Sequence, residues 1–582
     1  MRNVKILKRM VIHIAKSTFV NFHLLFFTYA VLSFISCSRP FQDEEVKPKV
    51  DTQTSDWRSY QMYFPKLETY TVTPKVSHDA SIVWFKDRWI AMYDDGNEQE
   101  GQRIRQSFSF DLVSWSEPTQ PFVSTSDNEI DQSRAQYQPS LVIADGVLLC
   151  VWQDSPNSYI SRLESPAGIW TTKKLYGTAN AQYPLPSFEG KSWTVFAGNN
   201  GLILQNGRIM VPVTMVEYAP TVLHADRAKR DGVIFSDDRG ITWSYSSAGT
   251  INETGAWEAT IWEPETGIIN MVSRYNRSGE DVIIKPTENM KFTSSTDNGK
   301  TWLPQVLVPI ETSMSRMHAV NKGKRNMLAA NDWAVQTQST VVNRKNMTLF
   351  FSRGNGYNFS PAVNFDANVV NTTSYPQIAI KDNYAVVIYT RSSYTSTWNE
   401  RQTIVTKISP LPDDDQYYIF PRENRGQIKM GYIDNKDVIY FYNDYSSASI
   451  DLDANTATTD KIHLSFDFKV SNGKHTILSL DYPNIRLIAE NGMVKLQKSD
   501  SGEEIECGTY NDWTNIELVT GKGITSVRVN GGTEKKLNAA PLGPIRAFFG
   551  QNYYQGLLEK PDTHFFIDLK SIKSKVEKNA KA

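Results

Sequence analysis

Ser236-Asp237-Asp238-Arg239-Gly240-Ile241-Thr242-Trp243 and Ser295-Thr296-Asp297-Asn298-Gly299-Lys300-Thr301-Trp302 both read S-x-D-x-G-x-T-W. The glycine supplies the positive φ of a tight hairpin turn. The Ser and Asp side chains can bond turn amides, and the Trp can plug the gap between neighbouring sheets. Weaker echoes lie at Ser109-Phe110-Asp111 through Trp115 and at Ser352-Arg353-Gly354-Asn355-Gly356 through Phe359. Around these strings, from about Tyr60 to Ile408, run short apolar segments such as Ser81-Ile82-Val83-Trp84-Phe85 and Val386-Val387-Ile388-Tyr389, separated by Gly, Asn and Asp. No stretch has a long helical period. Regular short strands with turn signals mean an all-β sandwich, barrel or propeller.

The repeated string resembles the Asp-box of sialidase-type β-propellers, and that resemblance selects a six-bladed propeller over residues 60–408. Ser409-Pro410-Leu411-Pro412-Asp413-Asp414-Asp415 reads as a linker, 409–415. Beyond it, 416–576 keeps strand patterning without the boxes. Val527-Arg528-Val529-Asn530-Gly531-Gly532 and Phe565-Phe566-Ile567-Asp568-Leu569 resemble concanavalin-type jelly-roll modules, so a β-sandwich is expected there, binding sugar or buttressing the propeller. The lysine-rich end, 577–582, reads as a tail.

Arg2, Lys5, Lys8, Arg9 and Lys16 precede an apolar stretch from about Leu24 to Ile35, short for a membrane span. Phe34-Ile35-Ser36-Cys37 resembles a bacterial lipoprotein box. Residues 1–37 are therefore expected to be a signal peptide, with Cys37 lipidated and 38–59 a tether. The resemblance implies a membrane partner through a lipid anchor, at the outer membrane, facing the periplasm or the cell surface. Cys37, Cys150 and Cys507 are the only cysteines in 582 residues, so disulfides do not frame the fold. With 62 basic and 63 acidic residues there is no electrostatic reason to expect nucleic acid. The 14 Trp and 27 Tyr suit either glycan stacking or sheet cores. The eight histidines form no spaced metal motif, so no catalytic metal or cofactor is expected, and a structural calcium stays open.

The sialidase resemblance also implies a site. Phe196-Ala197-Gly198-Asn199-Asn200-Gly201-Leu202 through Val211-Pro212 looks like the family's glycine-rich segment. In Trp257-Glu258-Ala259-Thr260-Ile261-Trp262 through Arg274, Glu258 would take the nucleophile's proton and Arg274 would hold a substrate carboxylate. Arg344 resembles the last carboxylate arginine, and Tyr375, in Ser374-Tyr375-Pro376-Gln377, the nucleophile. Two positions depart from the pattern. His78 stands where the first arginine is expected, and Arg391 ends the strand where its supporting glutamate is expected. Both pointing inward would rebuild a cationic corner; otherwise they are a capped turn and a solvated strand end. Asp95 is the preferred acid, although Asp94-Asp95-Gly96-Asn97 also reads as a plain turn. His318, in Arg316-Met317-His318-Ala319, is expected to line the channel.

The expected activity is a sialidase-like exo-glycoside hydrolase. It would release sialic acid or a related keto-deoxy sugar acid from a glycan or polysaccharide through Tyr375. The alternatives are a polysaccharide lyase working on uronates through His78 and a tyrosine, and a non-catalytic glycan-binding lipoprotein.

Overall fold

Each S-x-D-x-G-x-T-W string turns the third strand of a small antiparallel sheet into its fourth. Ser236 to Trp243 joins Lys229–Ser236 to Ser244–Ala248, and Ser295 to Trp302 joins Met290–Ser295 to the sheet edge at Val306–Leu307. In the first box the Ser236 Oγ accepts Gly240 N–H at 2.8 Å and Asp238 Oδ1 accepts Thr242 N–H at 2.8 Å. In the second, Ser295 and Asp297 make the same bonds at 2.9 Å each. Trp302 then reaches the preceding sheet, donating Nε1–H to Ser246 Oγ at 3.0 Å. The echo at Ser109 is a box one residue shorter, in which Ser109 Oγ accepts Leu112 N–H and Asp111 Oδ1 accepts Ser114 N–H, both at 2.9 Å. Leu112, at φ 71°, stands in the glycine's place, and Trp115 caps its carbonyl at 2.8 Å.

A computed structural model describes most residues from 57 to 577. Residues 1–56 and 578–582, and internal segments of which the longest are 276–289, 333–343 and 551–563, lie outside the description, as do Cys37, the leader and the tether up to residue 56; the tether's expected last residues, Arg58 and Ser59, instead form a strand. Among the described residues there is no α-helix and no helix long and apolar enough to cross a membrane.

Six sheets, antiparallel but for the short parallel pairing of Tyr183–Pro184 with Thr171–Gly177, form the blades of a propeller. Their inner strands begin at Ser77–Phe85, Tyr137–Ala144, Lys191–Ala197, Ala256–Glu265, His318–Lys322 and Asn371–Lys381. The sixth blade takes its outer strand, Lys66–Thr73, from the start of the described chain, paired antiparallel with Gln402–Ser409. A ring closed by strands distant in sequence has no free edge between its first and last blades.

The channel is not an open bore. Each blade contributes one buried polar residue to a hub, five from the inner strands and Asn200 from just past the third: Ser81, Ser140, Asn200, Thr260, His318 and Gln377. The Ser81 hydroxyl donates to the carbonyl of Pro139 and that of Ser140 to Asn199. Thr260 accepts Ala319 N–H at 2.8 Å and His318 Nδ1 accepts Ile378 N–H at 2.9 Å. Gln377 crosses the axis, donating to Asn199 Oδ1 at 2.8 Å and accepting Asn200 N–H at 3.0 Å. Buried polar groups are tolerated because they are paired in this way.

After Pro412 the chain enters a two-sheet sandwich. Ile439, Phe441, Phe466, Phe468, Ile516 and Phe565 of one sheet pack against Ile419, Leu478, Leu487, Leu496 and Phe549 of the other. The first described strand, Arg58–Met62, belongs here and not to the propeller. It pairs parallel with Tyr417–Pro421 and antiparallel with Lys573–Glu577. The expected start of the propeller at residue 60 is thus displaced, because alternate residues of that segment, such as Tyr60, complete the sandwich core. The expected linker is pinned as well. Arg325 and Arg353 of the fifth blade donate to the carbonyls of Asp413, Asp414 and Gln416, and both hold the buried carboxylate of Asp451 at 2.9 and 3.1 Å.

Candidate active site

Two residues before each hub position the backbone presents one residue to the mouth of the channel: Asp79, Gln138, Gly198, Glu258, Arg316 and Tyr375. In blades one, two, four and six this residue sits in a β-bulge with left-handed φ: Asp79 49°, Gln138 53°, Glu258 58° and Tyr375 57°. Four non-glycine residues held in that region mark a place where the sheets keep strain in order to aim side chains.

Tyr375 is its centre, with only 8% of its surface exposed. The Arg316 guanidinium carbon lies 4.7 Å from the ring centroid and that of Arg344 5.1 Å. Arg274 hydrogen-bonds Tyr375 and donates Nη1–H to Glu258 Oε2 at 2.7 Å. Burial works against the Arg274 charge, but Glu258 and Tyr375 hold its pKa above the usual value. The His78 ring meets Tyr375 edge-on, centroids 4.5 Å apart. The structure therefore brings Tyr375, Glu258, Arg274, Arg344 and His78 together.

It also brings in two residues that the sequence reading passed over. Arg316 is fully buried, with Nη2 3.0 Å from Asp79 Oδ1. Gly198 makes room for it, since a Cβ there would stand 3.2 Å from Arg316 Nη1. An unpaired buried guanidinium would cost several kcal/mol, which Asp79 offsets. Burial alone would raise the Asp79 pKa, but His78 and Arg316 outweigh it and hold the carboxyl below its usual range.

Three expected residues lie elsewhere. Asp95 does not join the cluster: its Oδ2 accepts Arg105 Nε–H at 2.6 Å on the other face of its strand, because side chains alternate. Its neighbour Asp94 turns inward instead. It is fully buried, accepts Gln138 N–H at 3.1 Å and Gln102 Nε2–H at 2.8 Å, and burial, then Asp79, push its pKa well above the usual range. Arg391 is no part of a cationic corner. It spans to Asp366 of the fifth blade at 2.6 and 2.8 Å. His318 is a hub residue below the site. Burial and the charge of Arg316 push it down to about 3, so it stays neutral and accepts a backbone N–H. Cys150 is a buried core thiol.

His78, Asp79 and Asp94 offer three potential metal-ligand atoms within 4.8 Å of one another. Arg316 already places a positive charge on Asp79, and backbone and amide donors already engage Asp94, so the set does not fit an ion.

Residues 190–388 match the BNR repeat-like domain. The BNR-like segment spans both strong boxes, Glu258, Arg274, Arg316, Arg344 and Tyr375, in keeping with the resemblance read from the two strings. No curated protein matches the chain. Among solved structures, a Trypanosoma rangeli sialidase with 2,3-difluorosialic acid as covalent intermediate is 10% identical, over 86% of this chain and 91% of that one, at a TM-score of 0.49. The same organism's sialidase with 2,3-difluoro-KDN is 11% identical over 86% and 91%, at 0.48. NanB sialidase from Streptococcus pneumoniae is 14% identical over 62% and 71%, at 0.42.

Behind the BNR-like segment's Glu258 lies Asp231, fully buried and pushed up to about 7, by burial first and by Glu258, against bonds from Ser273 and Ala259 N–H. The folded chain therefore holds a proton there that the unfolded chain releases near pH 4. Stability falls as pH rises from about 4 to about 7 on this account. Asp231→Asn is expected to raise the melting temperature at pH 8 and leave it unchanged at pH 4. Equal shifts at both pH values would refute the assignment.

Proposed function

We propose that this chain is a glycoside hydrolase that removes a terminal acidic sugar, sialic acid or a related keto-deoxy sugar acid, through a covalent bond to Tyr375. The observation that carries the reading is the convergence of Arg274, Arg316 and Arg344 on Tyr375. Arg274 pairs with Glu258 and Arg316 with Asp79, while burial pushes the pKa of the neighbouring Asp94 well above the usual range. Guanidinium forks recognise carboxylates in two-bond geometry, so three of them about one tyrosine suit a carboxylate-bearing ligand. A neutral nucleophile suits such a substrate because a carboxylate there would be repelled by the sugar's own. Glu258 would receive the Tyr375 proton through the oxygen that Arg274 does not hold.

A uronate lyase is the second reading, favoured by the 4.5 Å approach of His78 to Tyr375. In that chemistry arginines neutralise the uronate carboxylate, one of the pair takes the adjacent proton, and the other protonates the leaving oxygen.

Soluble protein beginning after Cys37, incubated with sialylated glycans and uronate polysaccharides, tests both by mass spectrometry of the products. A free acidic monosaccharide carrying the oxygen of labelled water is the expected result. An unsaturated oligosaccharide would replace the hydrolase with the lyase, and binding without turnover would leave a glycan-binding protein. Attachment of Cys37 to an outer membrane is part of the same proposal and is tested by labelling with a radioactive fatty acid.

A further inference from the structure

Gln138 is the residue that blade two presents to the channel mouth. It is half-buried, sits on a β-bulge at a left-handed φ of 53°, and donates its backbone N–H to Asp94 at 3.1 Å. A chain of hydrogen bonds that starts at the main chain fixes the end of its side chain. Ala197 N–H can only donate, so its 3.2 Å bond decides which end of the Gln153 carboxamide is the oxygen. Gln153 Nε2 is then a donor, and it holds Gln138 Oε1 at 2.8 Å. Gln153 is 1% exposed, so Gln138 is the open member of the pair. The end of Gln138 that the pair leaves over is Nε2, which can only donate. This carboxamide lies inside the site. Gln138 Oε1 and Arg316 Nη1 are 3.8 and 3.2 Å from the one point where a Cβ on Gly198 would stand, and the Arg316 guanidinium lies against the Tyr375 ring at 4.7 Å.

We propose that Gln138 is a specificity-determining residue whose Nε2–H donates to an acyl carbonyl oxygen on the sugar, and that Gln153 is the positioning residue that decides which end of the Gln138 carboxamide the sugar meets. The inference rests on the hydrolase reading above and narrows it to an acylated acidic sugar. A hydroxyl both donates and accepts, so it would bond either end of a carboxamide and gain nothing from having the end fixed. A carbonyl accepts and cannot donate, so it bonds the Nε2 end alone. Locking the carboxamide from behind therefore serves a carbonyl. The sugar's carboxylate also only accepts, but it is matched by the guanidinium groups about Tyr375, so the oxygen at Gln138 belongs to a different substituent.

The test compares the 4-methylumbelliferyl glycosides of sialic acid, which carries an acetamido carbonyl, and of KDN, which carries a hydroxyl in its place. Gln138→Glu keeps an oxygen for Gln153 to hold and turns the donor into an acceptor. Its added charge repels both acidic sugars alike, so the readout is the ratio of the two kcat/KM values. A hydroxyl can donate to the new oxygen and a carbonyl cannot. The ratio of sialoside to KDN glycoside is expected to fall by about tenfold in Gln138→Glu, the worth of one hydrogen bond lost against one kept.

Gln153→Met tests the positioning role, because it alters no group that meets the sugar. With the bond to Oε1 gone the Gln138 carboxamide is free to turn, and the same ratio is expected to fall by about threefold, the cost of ordering one side chain. A residue that only packs would lower both rates and leave the ratio in place. A ratio unchanged in both variants, with sugar still released, would overturn the inference and leave the hydrolase standing, as would a wild type that takes the KDN glycoside alone. Release of neither sugar by the wild type would overturn both.

Discussion

Tyr375→Phe is expected to lower release of the acidic sugar by more than about 10⁴-fold, with melting little changed. The substitution keeps the ring that His78 meets at 4.5 Å and that Arg316 and Arg344 cover at 4.7 and 5.1 Å. Only the oxygen goes, along with its bond to Arg274. Packing around the left-handed bulge is unaltered, so a loss of rate reports chemistry. Intact-protein mass after an acid quench during turnover gives a direct readout. The wild type should gain the mass of one sugar and the variant none. A variant that turns over at the wild-type rate would remove the covalent mechanism.

Asp451→Ala is expected to destabilise the chain by about 3–5 kcal/mol. Asp451 is 4% exposed and is shared by Arg325 and Arg353, themselves 2% and 4% exposed. Removing it takes the shared counter-charge from two buried guanidinium groups at the seam between propeller and sandwich. A second buried pair, Arg422 with Asp332 at 2.8 Å, crosses the same seam. Because Tyr63, Tyr418 and Phe420 also share a core with Met327 and Phe351, the two parts should lose structure together. Calorimetry would check this: one transition at a lower temperature is expected, and an unshifted melt would show that the pair is energetically idle. Replacing all three residues with apolar ones of similar size should recover much of the loss, because the pair's worth lies mainly in not leaving charges alone.

The propeller was legible because the box is a local device: Ser, Asp, Gly and Trp act within eight residues. The residue cluster was legible where the chain repeats a local pattern around a residue at the channel mouth, as at Glu258 and Tyr375. It failed where position depends on which face of a strand turns inward. Asp94 and Asp95 are adjacent, and only the pleat decides between them. Arg391 was misplaced because its partner, Asp366, comes from another blade. Arg316 carried no motif, but a period was available. Asp79-Ala80-Ser81, Gln138-Pro139-Ser140, Glu258-Ala259-Thr260 and Tyr375-Pro376-Gln377 recur at about sixty-residue steps or their multiples, each a residue at the channel mouth, a small or cyclic one, and a polar hub residue. Continuing that step places Arg316 two before His318, and puts Asp79 rather than His78 in register with Tyr375.

Tyr60 and Ser574 are 514 residues apart in sequence and 2.7 Å apart in space. The strand that carries Tyr60 emerges from the ribosome long before Ser574 exists, and the outer strand of the sixth blade waits about two thirds as long for Gln402–Ser409. Neither sheet system can be completed by local zippering, so loop closure over hundreds of residues must precede the final contacts. A nascent chain held open in this way exposes the margins of two unfinished sheets during synthesis. Its maturation is then limited by when its latest segments arrive, not by how fast any single blade can form.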